Sequence, residues 1–290
     1  MIKRKLALVL SCTVLLNILV LISGCGKGSS VLSPEDVKSY DQLNEITNVK
    51  KDDSHSAGYQ LDPPEKGDKI AVIKTSMGDI CLKLFPENAP KTVQNFIDLA
   101  NKKKYDGTIF HRVINSFMIQ GGDYENFNGS GGKSAKGKTF DDEFCDKLYN
   151  LRGSISMANR GKNTNSSQFF INQTRPENTS FDNLERIWQS AKPELEDAIS
   201  GGTLADFINK RGGYCVDPNL IPEEVKNLYL ENGGNPSLDG AFNVVGRGHT
   251  VFGQVYEGMD VVDAIANVPK NASNKPLEDV TVTAIEIKTY

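Results

Sequence analysis

The sequence predicts a mainly β domain, a barrel or a sandwich, that carries one helical insertion. The first indication is a series of short strand-like segments joined by glycine-rich connections, which is typical of these architectures. The second is helical periodicity over about 183–234, which interrupts the strands. The third is an ordinary globular composition over 290 residues, with 38% hydrophobic and 24% charged residues.

The strands and helices can be assigned in order along the chain. Segments 70–74 and 79–85 flank Ser76-Met77-Gly78, which predicts a β-hairpin. Pro90 begins a helix, since proline is favoured at the first helical position and apolar residues follow at helical spacing. The remaining segments are strand-like 108–114, 117–121, 154–158, 168–171, 251–255 and 279–289, with a short helix at 259–266.

The insertion is predicted to cover about 183–236. Its first half has apolar residues at helical spacing, namely Leu184, Ile187, Trp188, Ala191, Leu195, Ala198 and Ile199. A second amphipathic segment begins at Pro222 and ends at Gly233-Gly234, because glycine is a usual helix stop.

Residues 1–24 have the features of a signal peptide. Lys3, Arg4 and Lys5 precede an apolar run over 6–22, and small residues come directly before Cys25. The end of this run resembles a bacterial lipobox, which implies cleavage before Cys25 and acylation of that residue. A transmembrane anchor is the alternative, because about 17 apolar residues are the lower limit for crossing a bilayer. Both interpretations export the domain.

Residues 25–68 are predicted to be a flexible tether, because they are rich in Ser, Asp, Lys, Gly and Pro and have few aromatic residues. An ordered domain is expected over 69–290. Loss of the three cations of the signal peptide changes the net charge from −4 to −7. A net acidic chain without a basic stripe is a poor candidate for binding nucleic acid.

The cysteines and histidines predict neither a disulfide framework nor a metal site. Cys81, Cys145 and Cys215, the cysteines beyond the N-terminal segment, are odd in number and form no Cys-x-x-Cys. The three histidines of the chain lack metal-ligand spacing. We therefore expect no bound metal.

Residues 132–139, GKSAKGKT, satisfy the spacing of a P-loop. A P-loop needs a buried strand before it and a helix after it, so that phosphate lies at the helix N-terminus. Neither 126–131 nor 140–143 fits these requirements. We interpret the match as a chance loop.

Two segments carry the candidate chemistry. In an extended chain over 110–123, alternate side chains lie on opposite faces, so Arg112, Ile114 and, after a turn at 115–116, Met118 and Gln120 could converge on one surface. An arginine among apolar side chains is a fixed fork of charged donors, suited to polarising a neutral amide. The second segment, 154–171, has strand-like ends around a loop dense in turn-forming residues.

Together with 251–255 and 257–259, these segments resemble the cyclophilin-type peptidyl-prolyl cis-trans isomerases. The resemblance covers about 69–182 and 237–290. It implies a closed eight-stranded antiparallel β-barrel capped by two helices, with a shallow groove on its outer surface. The helical segment at about 183–236 is then an insertion into that fold.

The resemblance also implies roles for individual residues. Arg112 matches the catalytic arginine. The residues that match the substrate groove are Phe117, Met118, Gln120, Ala158, Asn159, Gln168, Phe170, Leu238 and His249. In this set the phenylalanines, methionine, leucine and histidine match the proline pocket, the glutamines match polar groove residues, and the backbone of 158–159 bonds the bound peptide.

The implied reaction is rotation about an X–Pro amide, whose barrier of ~18–20 kcal/mol comes from amide resonance. No bond breaks, so neither a nucleophile nor a cofactor is required. Donation from Arg112 to the prolyl nitrogen would favour the pyramidal nitrogen of the twisted state. An acceleration of ~10⁵ corresponds to about 7 kcal/mol.

The sequence departs from the family pattern at several positions. Ser237 stands where many members carry tryptophan, which weakens the expectation of cyclosporin binding. Arg160 and Lys162 replace small or proline residues beside the groove, and they should change which residues flanking proline are preferred. Eight residues separate Gly240 from His249, where the family commonly has one.

The implied function is a peptidyl-prolyl cis-trans isomerase that accelerates the folding of exported proteins at the extracytoplasmic face of the membrane. The expected partners are proline-containing unfolded or exported polypeptides and, through the lipid on Cys25, the membrane itself. We expect a monomer. The alternative is a non-catalytic chaperone or partner-binding module on the same scaffold, in which the insertion covers the groove or recruits a partner.

Overall fold

In the part of the chain that the structure describes, residues 33–211 and 215–290, eight of ten strands form one antiparallel sheet. This structure is a computed structural model. The strands are β1 (Val49–Lys50), β2 (Lys69–Thr75), β3 (Gly78–Leu84), β4 (Arg112–Ile114), β5 (Met118–Gly121), β6 (Phe144–Cys145), β7 (Ser154–Met157), β8 (Phe169–Asn172), β9 (Val251–Glu257) and β10 (Val282–Thr289). The order across the sheet is β10-β2-β3-β9-β7-β8-β5-β4, and β1 pairs with β6 in parallel.

The sheet curls into a half-barrel whose two edge strands, β4 and β10, do not pair as a ladder. Residues before β4 instead bond the start of β10 and the residues before it: the Phe110 amide donates to the Val280 carbonyl (3.0 Å), and the Val282 amide donates to the Thr108 carbonyl (2.7 Å). The prediction of a closed barrel is therefore wrong. The two edges meet at an isolated bridge between Ile109 and Thr281, which lie before β4 and β10, so no ladder joins the two edge strands.

The five helices belong to two groups. Two pack on the core of the sheet, and three form the insertion. They are α1 (Pro90–Asn101), α2 (Phe181–Ser200), α3 (Leu204–Arg211), α4 (Glu223–Asn232) and α5 (Met259–Ala266), counted over the described ranges. The helical character of the insertion is confirmed, and α4 is terminated by its C-cap residue Gly233, which adopts a φ of 85°.

The main core lies between the sheet and the helices α1 and α5. Phe96 of α1 packs against Phe169 and Phe252, with ring centroids 5.8 and 5.3 Å apart. Val262 and Ile265 of α5 are fully buried in the same cluster. Each side chain of this size contributes about 1.5–3 kcal/mol when it leaves water. The predicted hairpin of β2 and β3 lies in this core as well.

The insertion has a core of its own, which it shares with the N-terminal segment. Val37, Leu43 and Ile46 are at most 2% exposed and pack in the same cluster as Trp188 of α2. Val245, from the extended stretch between Gly240 and His249, completes this cluster. The extra residues of that stretch therefore contribute buried side chains to the core of the insertion.

The segment that follows also packs on the domain. Val49 and Lys50 of β1 pair with β6, and the Gln60 side chain donates to Oε1 of Gln254 in β9 (3.0 Å). The prediction of a flexible tether is therefore wrong for residues 37–62. Composition misled it, because a few apolar residues suffice when the insertion supplies the complementary surface for residues 37–46 and strands β6 and β9 supply partners for residues 49–60.

The predicted signal peptide at 1–24 and the proposed lipid site at Cys25 lie outside the described residues. Within the described ranges, no helix is both long enough and apolar enough to cross a membrane.

Truncation of Leu43 measures this packing directly. We expect Leu43→Ala to lower the free energy of unfolding by about 2–5 kcal/mol, because it opens a cavity in a closed cluster. The matched control is Leu277→Ala, whose side chain is 68% exposed and whose loss should cost less than about 0.5 kcal/mol. The measurement is the midpoint of urea unfolding of the two variants, compared where their m-values are equal. Equal midpoints would mean that Leu43 is not packed and that the segment is a flexible tether after all.

Candidate active site

Cross-strand pairing places four side chains in one row on the outer face of the sheet. Arg112 of β4 pairs with Gln120 of β5, Gln120 with Phe170 of β8, and Phe170 with Ser156 of β7. Residues on the neighbouring row point the other way, because side chains alternate along a strand. This neighbouring row is fully buried in the core and consists of Val113, Ile119, Ile171 and Ile155. The prediction that Arg112 and Gln120 share a surface is confirmed.

A chain of side-chain hydrogen bonds orients the exposed arginine. Nη1 of Arg112 donates to Oε1 of Gln120 (3.4 Å), and Nε2 of Gln120 donates to Oε1 of Gln168 (3.0 Å). Nε2 of Gln168 donates in turn to the carbonyls of Gly129 (2.9 Å) and Gly131 (2.7 Å). A guanidinium has five N–H donors, so the bond to Gln120 leaves several that can reach a ligand.

A tight turn connects β4 to β5 and fixes the position of Phe117. Ser116 has a φ of 59°, a left-handed conformation that is uncommon for residues other than glycine. The Ser116 amide donates to Oε1 of Gln173 (2.7 Å), and the Phe117 carbonyl accepts from the Gln173 amide (2.8 Å). Gln173 therefore holds both residues of the turn, and Phe117 lies half-buried directly before Met118.

Apolar side chains lie beside the outward-facing row that begins at Arg112. Met118 and Phe170 are 2% and 4% exposed. The rings of Phe170 and His249 meet edge to face, with centroids 5.1 Å apart. The His249 amide donates to the Leu238 carbonyl (3.0 Å). The structure thus brings these predicted pocket residues from three separate parts of the chain to one face of the sheet.

The environment of His249 fixes its protonation state. Nδ1 lies 2.9 Å from the Met157 carbonyl, which can only accept, so Nδ1 carries the proton and Nε2 is the acceptor. Burial lowers the pKa of His249 and outweighs the opposing effect of the Met157 carbonyl. His249 is therefore a neutral wall of the pocket at pH 7.

A cleft of about 400 Å³ lies beside the side chains of Gln120 and Gln168. Its walls come from β5, from the loop that follows β5 and from the loop between β7 and β8. The residues that line it are Gln120, Glu125, Gly129, Ser130, Gly131, Gly132, Lys133, Thr139, Ala158, Asn159, Arg160, Thr164, Ser166 and Gln168. The predicted residues Ala158 and Asn159 both lie here. The Ala158 amide donates to the Gln168 carbonyl (3.0 Å), and Nδ2 of Asn159 donates to the Gly248 carbonyl (2.8 Å).

The two basic residues that the sequence places beside the groove have different surroundings. Arg160 lines the cleft, and its Nη2 donates to the Ser130 carbonyl (2.7 Å). Lys162 instead donates from Nζ to the Ile46 carbonyl (3.0 Å) in the N-terminal segment. An influence on the residues flanking proline is thus retained for Arg160, whereas Lys162 binds the N-terminal segment.

The segment that matches a P-loop is an irregular loop without a helix after it. Oγ of Ser134 donates to the Lys138 carbonyl inside the loop, and Nζ of Lys133 lies 2.7 Å from Glu125. The interpretation as a chance match is therefore consistent with its structure. Across 33–211 and 215–290, no three His, Cys, Asp or Glu side chains group as metal ligands.

Sequence reasoning missed the residues that support the pocket from outside the two motifs. Gln173 and Asn235 bind the backbone of the turn at 116–117. The buried carboxylate of Asp239 lies next to Leu238, inside a matched motif that drew attention only to the leucine. The available signal for Asp239 was its position directly after Leu238, a residue matched to the pocket, and Asn235 had none.

The site combines a permanent positive charge with an apolar surface. Such a site can bind an uncharged ring against Met118, Phe170 and His249. It can also donate a charge-assisted hydrogen bond from Arg112 to a weak acceptor in the same ligand. This arrangement suits noncovalent work on a neutral amide.

The protonation of His249 predicts a pH dependence of stability. The pKa of His249 is lower in the folded protein than in the unfolded chain, so the unfolded chain takes up the second ring proton first as the pH falls. The contribution of neutral His249 to the free energy of unfolding is therefore fully present above the usual pKa of about 6.5 and is lost as the pH falls below it. We expect His249→Gln to weaken the decline of the unfolding free energy between pH 7.5 and pH 5. Urea unfolding of both proteins across this pH range, with pH 8 as the reference, measures the decline. The same decline in wild type and variant would contradict a lowered pKa of His249.

Comparison with known proteins agrees with this architecture. The family model described as Cyclophilin type peptidyl-prolyl cis-trans isomerase/CLD matches residues 70–196 and 217–287. The unmatched residues between these ranges include α3 of the insertion.

Relatives and solved structures that resemble this chain carry the name of the same isomerase, peptidyl-prolyl cis-trans isomerase. A candidate peptidyl-prolyl cis-trans isomerase of Staphylococcus saprophyticus is 40% identical over 229 residues, which cover 79% of this chain and 96% of that protein. A candidate bifunctional phosphatase and peptidyl-prolyl cis-trans isomerase of Streptococcus pyogenes is 45% identical over 230 residues, and the chain spans only 40% of its length.

The crystal structure of a cyclophilin-type peptidyl-prolyl cis-trans isomerase of Cryptosporidium parvum is 26% identical, with a TM-score of 0.52 and coverage of 77% of this chain and 99% of that one. A second structure of that protein, in the presence of the dipeptide Ala-Pro, has a TM-score of 0.51. The family model covers well over half of this chain. The chain therefore belongs to the cyclophilin-type peptidyl-prolyl cis-trans isomerase family.

Proposed function

We propose that this protein accelerates the folding of exported proteins by isomerising X–Pro bonds, and that a lipid on Cys25 anchors it at the outer face of the cell membrane. The observation that carries the catalytic part is the position of Arg112, bonded through Gln120 to Gln168 and adjoining the apolar residues around Phe170. The isomerase names of the relatives, and the related structure determined in the presence of the dipeptide Ala-Pro, support the same substrate class.

The proposed mechanism is selective stabilisation of the twisted amide. In the planar ground state the nitrogen lone pair is delocalised and accepts no hydrogen bond. In the twisted state the nitrogen is pyramidal and its lone pair can accept from Arg112, while the apolar pocket holds the prolyl ring. An interaction available only in the transition state lowers the barrier, and an acceleration of ~10⁵ needs about 7 kcal/mol from this bond and from positioning.

Gln120 and Gln168 have a supporting part in this mechanism. Their hydrogen bonds hold the guanidinium over the groove, so the donor loses little side-chain entropy when the substrate binds. His249 is uncharged at neutral pH and leaves Arg112 as the positive charge that faces the amide.

The cellular part of the proposal is supported by the N-terminal sequence. The cations, the apolar run and the small residues before Cys25 are typical of an exported lipoprotein. Uncatalysed X–Pro isomerisation takes tens to hundreds of seconds, so it limits folding of chains that emerge from a membrane unfolded. A membrane-anchored isomerase would meet such chains early.

Replacing Arg112 tests the catalytic proposal. We expect Arg112→Ala to lower kcat/KM about 10²–10³-fold, the usual effect of removing one preorganised donor to a transition state. The measurement is a protease-coupled assay on a proline-containing tetrapeptide, with full-length protein in mild detergent. The matched control is Arg186→Ala, an exposed arginine of α2 that bonds Asn183, and it should keep full activity.

Either of two results would contradict the proposal. Full activity in Arg112→Ala would remove the arginine from the mechanism. A folded wild type without activity that still suppresses aggregation of an unfolded client would favour a non-catalytic binding module, for which the three-helix insertion is the candidate surface.

Replacing Cys25 tests the lipid anchor. We expect the wild type to incorporate radiolabelled fatty acid in cells and Cys25→Ala to incorporate none, because the thiol and the new N-terminus of this residue are the acylation points. Cys12→Ala is the matched control and should keep its label. A wild-type protein that carries no label yet sediments with membranes would indicate an uncleaved transmembrane anchor instead.

A further inference from the structure

A network of polar side chains lies on the groove face of the sheet, between the pocket and α4. Burying polar groups costs free energy unless each one finds a hydrogen-bond partner, so such a network needs a reason. All but one of its members are at most 2% exposed, and they are Asn150, Ser156, Asn172, Thr174, Tyr229, Asp239 and the half-buried Asn235. Tyr229 and Asn235 come from the insertion.

The end of the insertion makes a close backbone contact with residues 150–152, which directly precede β7. The Arg152 amide donates to the Gly233 carbonyl (3.0 Å), and the Asn235 amide donates to the Asn150 carbonyl (2.9 Å). At Gly234, φ is +135° and a Cβ would lie 2.5 Å from the Asn150 carbonyl oxygen. Only glycine fits this approach, which brings the Asn235 side chain onto the groove face.

Asn235 binds the backbone of the pocket. Its Nδ2 donates to the Phe117 carbonyl (3.3 Å) and to Oδ1 of Asn172 (2.7 Å). Its Oδ1 accepts from the Thr174 hydroxyl (2.8 Å). Asn172 pairs across the strands with Met118. One side-chain amide thus reaches the peptide of one pocket residue and the cross-strand neighbour of another.

Tyr229 reaches the other side of the pocket through a buried carboxylate. The Tyr229 hydroxyl donates to Oδ2 of Asp239 (2.5 Å), and Oδ1 of Asp239 accepts from the amide (2.7 Å) and the Nδ2 (2.9 Å) of Asn150. Oδ1 of Asn150 accepts from the hydroxyl of Ser156 (2.8 Å), the residue that pairs with Phe170. Asp239 itself directly follows Leu238.

We propose that Tyr229 and Asn235, residues of the insertion, are positioning residues for the proline pocket: through this network they set the placement of Phe117, Met118, Phe170 and Leu238. The inference rests on the proposed isomerase function. It also gives the insertion a task, since the insertion supplies the hydrogen bonds that hold the groove face in place. Neither residue touches the substrate, so each acts through the residues that do.

The buried carboxylate gives the network a measurable response to pH. Burial raises the pKa of Asp239 to about 6, although the donors Tyr229 and Asn150 favour its charged form. The titratable groups that face it in the described residues are the phenols of Tyr229 and Tyr149, and burial raises the pKa of both. They stay protonated, so Asp239 is the group that titrates. Protonation of Asp239 adds a hydrogen to a carboxylate whose oxygens already accept from Tyr229 and Asn150, so one of these hydrogen bonds is lost and the network is weakened.

Removing the Tyr229 hydroxyl tests the inference. We expect Tyr229→Phe to lower kcat/KM about five- to tenfold at pH 7.5, mostly through kcat, because a displaced pocket aligns the twisted amide poorly. Loss of a donor to the carboxylate raises its pKa, so the acid limb of the pH–activity profile should move to higher pH. Full-length protein in mild detergent is used throughout.

Tyr149→Phe is the matched control. Tyr149 is buried in the same cluster, but its hydroxyl donates to the Asp146 carbonyl (2.6 Å), outside the network. It should keep kcat/KM within about twofold and leave the acid limb in place. If both variants lower the Tm while kcat/KM and the acid limb stay as in the wild type, the network is structural only and the inference is wrong.

A second measurement does not depend on activity. In Asn235→Ala, the ¹³C carbonyl resonance of Phe117 should move upfield, because the carbonyl loses a donor. Asn232→Ala, whose side chain donates to the Leu228 carbonyl within α4, should leave this resonance unchanged. An unmoved resonance in Asn235→Ala overturns the inference. A wild type without isomerase activity overturns only the proposed function, and the carbonyl shift then still decides whether the insertion positions the pocket.

Discussion

The register of β5 against its two neighbours, β4 and β8, is the constraint on which the site depends. In this register Val113, Ile119 and Ile171 enter the core and Arg112 and Gln120 face outward. A slip by one residue would exchange the two rows, so it would expose three aliphatic side chains and bury a guanidinium without a partner. The hydrophobic core therefore fixes the position of the arginine, although the arginine itself contributes little to the core.

The pocket depends on a second constraint, because its residues come from distant parts of the chain. Phe170 lies on β8, whereas Leu238 and His249 follow the insertion, and a hydrogen bond between His249 and Leu238 joins the last two. The insertion is in turn completed by Val37, Leu43 and Ile46, so its core requires the segment that precedes the sheet. The N-terminal segment, the insertion and the groove face form one packed structure, and a change in one alters the support of the next.

Polar groups have different tasks on the two sides of Phe170. On one side, the exposed row of Arg112, Gln120 and Gln168 offers a donor to a ligand. On the other side, the buried network around Asn150 and Asp239 has its hydrogen bonds satisfied within the protein. A low local dielectric strengthens such bonds and raises the cost of losing one, so a satisfied network holds an apolar surface in a single arrangement.

The sequence by itself determined the elements whose evidence is local. Alternation over 110–123 put Arg112 and Gln120 on one face, the turn at Ser76-Met77-Gly78 predicted the hairpin, and Gly233-Gly234 ended the last helix of the insertion. The motif resemblance identified the family and nominated the pocket residues, which meet on one face of the sheet.

Only the tertiary structure decided the features that depend on partners far along the chain. The half-barrel stays open because its two edges meet at an isolated bridge rather than along a ladder. Residues 37–46 are ordered because the insertion offers them an apolar surface, and residues 49–60 because β6 and β9 offer them partners. Asn235 reaches the Phe117 carbonyl because Gly234 allows a backbone approach that no local pattern encodes. In each case the deciding free energy belongs to a contact between segments, and composition and periodicity report only on the segment itself.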